Sequence, residues 1–255
     1  MKARPYILKE INWKFVKENQ YNVAILPWGA TEAHNYHLPY GTDQYLADAI
    51  SEASAEIAWN KGGKVVVLPS IAYGVNTGQM DVSLCMNMYP SVQSLILRDI
   101  SEVLNNHGVS KLVILNAHGG NNFKQIMREL STEFPEIFYC SVDWWKAASP
   151  DGIFDEPGDH AGELETSVIM HLHPDLVLPL SEAGDGAAKE FKFGAFKKGY
   201  VQAQREWTQV TKDTGVGNPA KSTVEKGKKF FEASVKEIGN FLYELSQNEN
   251  DELYK

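Results

Sequence analysis

The chain has 255 residues, 43% hydrophobic and 22% charged, with 24 basic against 33 acidic residues for a net charge of −9. That composition is ordinary for a soluble globular protein, and the length and evenness suit one domain over 1–255 whose core needs no staples. With no basic patch, nucleic acid is not an expected partner, and with no apolar run near the roughly 18 residues of a span, neither is a membrane.

Cys85 and Cys140 stand in no CxxC pattern, which fits a reducing cytoplasm. The opening residues, MKARPYILKEINWKF, lack the apolar region of a signal peptide.

In chain order, strands are expected at 22–27, 64–69 (KVVVLP), 111–116 (KLVILN) and 137–142 (IFYCSV). Each is almost continuously apolar, the pattern of a parallel sheet covered on both faces. Helical periodicity follows at 44–60, where Leu46, Ile50, Ala53 and Ile57 share a face, then at 92–106, 122–134 and 161–171. Strands alternating with helices predict a three-layer α/β/α domain around a mostly parallel central sheet. Residues 143–160 read as a long functional loop bearing Trp144 and Trp145. Residues 182–217 show no clear period. Ser222 and Glu225 form a capping-box pattern ahead of a last helix, whose apolar face (Phe230, Phe231, Val235, Ile238, Phe241, Leu242, Leu245) is expected to cover the sheet or another subunit. The tail NENDELYK is expected to fray.

The chemistry-bearing stretch is 27–43, PWGATEAHNYHLPYGTD, lying between a strand and a helix. Glu32, His34 and Asp43 are expected to bind metal, with partners from elsewhere. His118, in the HGGN segment directly after the third strand, is one such partner, its two glycines allowing close backbone approach. All four lie beyond strand carboxyl ends, where open α/β sheets bind ligands. Carboxylates and imidazoles without thiolate suit Zn, Mn or Fe(II). An aspartate bridging two ions about 3.5–4 Å apart can serve a two-metal hydrolase. Plainer accounts stand beside this: Asp43 as a helix cap, Glu32 as a helix-end charge, HGGN as a turn or phosphate cradle. His37 reads as a supporting or surface residue, and His107, His171 and His173 as ordinary.

The last cluster is DHAGELET from Asp159. On a helix, His160 and Glu163 stand three apart and share a face while Glu165 points elsewhere. Acids in a first helical turn are the plain alternative.

Four segments together, GATEAH from Gly29, HLPYGTD from His37, NAHGGN from Asn116 and HAGELETS from His160, resemble the creatininase (creatinine amidohydrolase) family over roughly residues 5 to 245. The resemblance implies an α/β/α amidohydrolase with two divalent ions (Zn, Mn or Fe), often a hexamer. Glu32, Asp43 and His118 would hold one ion; His34, the bridging Asp43 and a further carboxylate would hold the other. In creatininase proper that carboxylate lies two residues after the histidine matching His118, where this chain has Gly120; Glu163 is taken as the replacement, with Glu165 the open alternative. Many members carry a histidine near Gln79, so segment 73–79 departs from the family and substrate identity is not inherited.

The expected reaction is hydrolysis of a C–N bond in a small non-peptide amide, cyclic or not, or a formamide, by hydroxide held between the ions. His160 and Glu163 are the expected catalytic groups, with His160 as proton shuttle. Asn76, Gly119, Trp144 and Trp145 are expected around the substrate, although core packing accounts equally well for one tryptophan. The alternatives are a deformylase of a nucleotide or riboflavin precursor, a peptide-trimming amidohydrolase, a phosphate-binding module and a non-catalytic metal- or ligand-binding protein.

Overall fold

The apolar runs form one parallel sheet: β1 (Val23–Trp28), β2 (Val65–Val67), β3 (Lys111–Asn116) and β4 (Phe138–Asp143), in the order β2-β1-β3-β4. The computed structural model describes residues 3–156 and 158–254; the first two and the last residue of the chain, which belong to the expected leaderless start and fraying tail, lie outside them, as does Pro157 of the expected long loop.

Successive strand residues point to opposite faces, so each run feeds two cores. Val23, Ile25, Val65, Val67, Val113 and Leu115 enter one; Ala24, Leu26, Trp28, Val66, Leu112 and Ile114 enter the other. Every residue of β1 and β3 is buried, which is why their sequences do not alternate.

The helices are α1 (Trp13–Glu18), α2 (Thr42–Asn60), α3 (Pro90–Asn106), α4 (Lys124–Glu133), α5 (Glu163–Leu172), α6 (Gly194–Lys197), α7 (Trp207–Val210) and α8 (Val224–Gln247). Leu46 and Ile50 of α2, Val168 and Ile169 of α5, and Phe230, Ile238 and Leu242 of α8 close the first core. Leu97 and Leu104 of α3 with Ile126 and Leu130 of α4 close the second. This is the expected three-layer α/β/α arrangement. Among the described residues, no helix is long and apolar enough to cross a membrane.

Some boundaries differ in ways that matter below. Helix α2 begins at Thr42, so Asp43 lies inside its first turn rather than capping it. Helix α5 begins at Glu163, and His160 belongs instead to β5 (Gly158–His160), which pairs antiparallel with β6 (Val216–Gly217). The cap of α8 is Thr223, whose hydroxyl accepts from Lys226 N; Ser222 donates to the Glu163 carbonyl, so the expected capping box does not form. The tail forms a turn at Asn250–Glu252, and Asn250 Nδ2 donates to the Ser110 and Glu136 carbonyls, which docks it against the sheet.

Candidate metal centre

β1 delivers the chain to the carboxyl edge of the sheet at Trp28, and the following loop carries Glu32 and His34 before α2 returns with Asp43. A β-carbon on Gly29 would lie 2.7 Å from Gln44 N and 2.8 Å from Asp43 C. Glycine therefore lets the strand end press against the first turn of α2, which places Asp43 beside the loop. His118 comes from the turn after β3, His160 from the end of β5, and Glu165 from the first turn of α5.

These side chains converge in the interior: Glu32, His34, Asp43, His118 and His160 are all at most 8% exposed. Asp43 is central, with Oδ1 3.0 Å from His34 Nε2 and Oδ2 3.1 Å from His118 Nδ1. Glu32 Oε1 is 2.9 Å from His118 Nδ1 and 3.8 Å from His160 Nδ1. Donor atoms within 4.8 Å of one another form three overlapping sets: Glu32–Asp43–His118, His34–Asp43–Glu165 and Glu32–His34–His160.

All three histidines have one ring nitrogen on a backbone carbonyl. His34 Nδ1 is 3.2 Å from the Glu32 carbonyl, His118 Nε2 is 3.0 Å from that of Val75, and His160 Nε2 is 2.9 Å from that of Ala33. Each carbonyl accepts the ring proton, so the opposite nitrogen faces the carboxylates. Ligand imidazoles are held in this way at metal sites. Imidazole nitrogens and anionic oxygens packed together call for cations between them, protons in the metal-free protein or metal ions in their place. Burial alone would lower the His34 pKa, but the adjacent Asp43 carboxylate outweighs it and raises the ring to about 10. His118 is likewise raised, by Glu32 and Asp43, against the effect of burial. Burial would raise Asp43 and Glu32, yet the neighbouring imidazoles hold both low. Glu165 is raised, chiefly by burial. Asp43 Oδ2 makes no hydrogen bond of acceptable geometry although it is buried. The donor set thus fits divalent metal by type, tautomer and its unsatisfied oxygen.

A cavity of about 1390 Å³ opens onto this cluster. Glu32, Asp43, Asn76, His118, Gly119, Trp145, His160 and Glu165 line it, together with residues 202–205 and Trp207. Asn76 gives its Nδ2 to the Met86 carbonyl and has an unpartnered Oδ1. Trp207 meets the His160 ring edge-on at 5.3 Å between centroids.

Two expected site residues fall elsewhere. Trp144 is fully buried in the core against Phe230, so of the two tryptophans only Trp145 reaches the cavity. Glu163 touches the cavity wall, but its carboxylate pairs with Lys226 Nζ and accepts the backbone N–H groups of Asp155 and Glu156, and it belongs to none of the donor sets. It ties the 150s loop to α8, and Glu165 takes the place beside His34 and Asp43 that sequence reasoning had given it. His37, buried with Nε2 2.8 Å from Thr166 Oγ1, is outside the cavity lining. Of the two glycines after His118, Gly120 is the one a close approach requires; a β-carbon on Gly119 meets nothing within 4 Å. Of the polar residues at the centre, Glu165 stands in the sequence as the alternative to Glu163, and Gln79 only as a departure from the family pattern. The signal for Glu165 was its place in the first turn after a histidine.

A family model described as creatinine amidohydrolase (creatininase) matches residues 9–242. A crystal structure from Bacteroides fragilis NCTC 9343, provisionally described as a creatinine amidohydrolase, superposes with a TM-score of 0.92 at 40% identity, covering 100% of both chains. A structure described as creatininase Mn superposes with a TM-score of 0.80 at 21% identity, covering 96% of this chain and 100% of its own, which speaks for the fold. The mycofactocin precursor peptide peptidase of Mycobacterium ulcerans (strain Agy99) is 27% identical over 222 residues, 83% of this chain and 80% of that one.

Proposed function

The chain belongs to the creatininase family of hydrolases, and on that premise we propose that it is a metal-dependent amidohydrolase in which Asp43 would be a ligand common to two divalent ions. The observation that carries this reading is that the two oxygens of Asp43 face two different histidines, 3.0 Å and 3.1 Å away. Glu32, Asp43 and His118 would hold one ion; His34, Asp43 and Glu165 would hold the other. Such a carboxylate and imidazole set suits Zn, Mn or Fe(II), and the relative described as creatininase Mn supports that range. Bound there, the ions would lower the pKa of water toward neutrality and polarise an amide carbonyl.

The chain's own residues do the rest. His160 keeps Nδ1 on the side of the Glu32 carboxylate, 3.8 Å away, while Nε2 is fixed on the Ala33 carbonyl, so it can receive a proton and pass it to the leaving nitrogen. Trp207 fixes its ring edge-on. Trp145 offers an apolar wall for the substrate.

The cavity favours a substrate larger than the small amide suggested by sequence. At about 1390 Å³ it exceeds the usual ligand pocket, which spans about 300–1,000 Å³. The peptidase relative points the same way, so an amide bond in a peptide or peptide-derived molecule is the better-supported substrate. A panel of short peptides, lactams and formamides, assayed with Mn, Zn or Fe(II), tests this. Hydrolysis of a peptide amide that stops with chelator and returns with metal is the expected result. Hydrolysis that persists in chelator-stripped protein contradicts the metal role, and turnover of lactams or formamides alone contradicts the substrate class.

A further inference from the structure

Gln79 touches the candidate metal centre without belonging to any of its donor sets. It ends a short 3-10 turn, Thr77–Gln79, and is 5% exposed. The two oxygens of Glu32 have different surroundings. Oε1 faces the histidines, 2.9 Å from His118 Nδ1, 3.8 Å from His160 Nδ1 and 4.0 Å from His34 Nε2. Oε2 points away from them and accepts a hydrogen bond from Gln79 Nε2.

The amide is held at its other end too. Gln79 Oε1 accepts from the Cys85 thiol at 3.6 Å, and Cys85 Sγ accepts the backbone N–H of Ala33 at 3.2 Å. The contacts close a ring that runs from Glu32 through Ala33, Cys85 and Gln79 back to Glu32. The ring gives the amide a direction: turned over, its carbonyl oxygen would face the Glu32 carboxylate, acceptor against acceptor. Burial raises the pKa of Cys85, which keeps the thiol as a donor at neutral pH.

We propose that Gln79 is a positioning residue of the metal centre: it captures Oε2 of Glu32, so that the carboxylate presents Oε1 alone to the ion shared with Asp43 and His118, and Cys85 fixes which end of the amide does so. This rests on the metal reading above. Without Gln79, Glu32 would keep a buried oxygen unpartnered and lose its fixed rotation. Loss of such an outer partner typically weakens metal affinity about 10–100-fold.

The test is a Mn(II) titration of chelator-stripped wild type, Gln79→Leu, Cys85→Ser and Cys85→Ala, with free Mn(II) read by electron paramagnetic resonance and thermal melts of each metal-free protein alongside. In Gln79→Leu, one of two sites should weaken about 10–100-fold while the other changes by less than about twofold. Cys85→Ser, which keeps a donor, should bind more tightly at that site than Cys85→Ala. Unchanged affinities in Gln79→Leu, or equal weakening at both sites, overturn the proposal. If Gln79→Leu does not fold, the cysteine pair decides, and equal affinities in Ser and Ala variants overturn it. A wild type that binds no Mn(II) sinks the metal reading itself, whereas one that binds two ions regardless of residue 79 sinks only this proposal.

Discussion

Gly120 and Val75 approach so closely that a β-carbon on residue 120 would lie 2.3 Å from the Val75 carbonyl oxygen. The same β-carbon would lie 2.4 Å from His118 Nε2, which donates its proton to that carbonyl. A carboxylate carried at position 120, as in creatininase proper, has no room here, because the contact that orients His118 occupies the space. The acid beside His34 and Asp43 comes instead from α5, as Glu165.

The first consequence concerns Gly120 itself. Gly120→Ala is expected to destabilise the fold by about 1–3 kcal/mol, the usual cost of overpacking, and to loosen His118. Urea unfolding and metal content measured together check this: both should fall. A variant with wild-type stability and metal content would show that the Val75 contact does not fix His118.

Glu165 and Glu163 should behave differently. Glu165→Gln is expected to lose or weaken one ion and to cut turnover at least about tenfold, as removal of a positioned metal ligand implies. Glu163→Gln breaks the tie between Lys226 and the 150s loop. It should lower the melting temperature and leave the ion count intact. Elemental analysis of both variants separates them, and a Glu163→Gln protein missing one ion would reverse the assignment.

Most of this centre can be read in the sequence. The four segments are short, rich in ligand side chains and placed next to apolar strands, so the topology brings them to one edge of the sheet. The role of Glu165 is not visible there. Ala161 has φ of 50°, a left-handed conformation that an alanine rarely adopts and does not advertise. That residue ends β5 and delays α5 until Glu163, which turns Glu165 inward; its N–H donates to the Glu165 carboxylate. Counting His160 into the helix pairs it with Glu163 three residues on, whereas His160 belongs to β5. Trp144 and Trp145 pose a similar problem, because adjacent side chains diverge after a strand end and burial depends on α8 packing from far along the chain.

The tryptophan pair gives a direct contrast. Trp144→Ala should destabilise by about 3–5 kcal/mol, as for other large core truncations. Trp145→Ala should change KM with little change in stability. Denaturant unfolding and steady-state kinetics on the two variants check this, and the account fails if the effects are exchanged.

His37 gives the pH dependence. Burial, with His34 adding to it, lowers its pKa from 6.5 to about 4. A group depressed on folding contributes stability that is present above its unfolded pKa and is lost as pH falls through the folded one. The His37 contribution is therefore intact above pH 6.5 and declines toward pH 4. His37→Asn should flatten the fall in melting temperature over that window. An unchanged slope would mean that His37 is not the group responsible.

The central claim is that Asp43 joins two ions, and the most direct measurement is the number of divalent ions bound per chain in wild-type and Asp43→Ala protein, each stripped by chelator and dialysed against Mn(II) or Zn(II). The account predicts two per wild-type chain and none in Asp43→Ala. A wild type that takes up no ion, or an Asp43→Ala protein that keeps both, would contradict it.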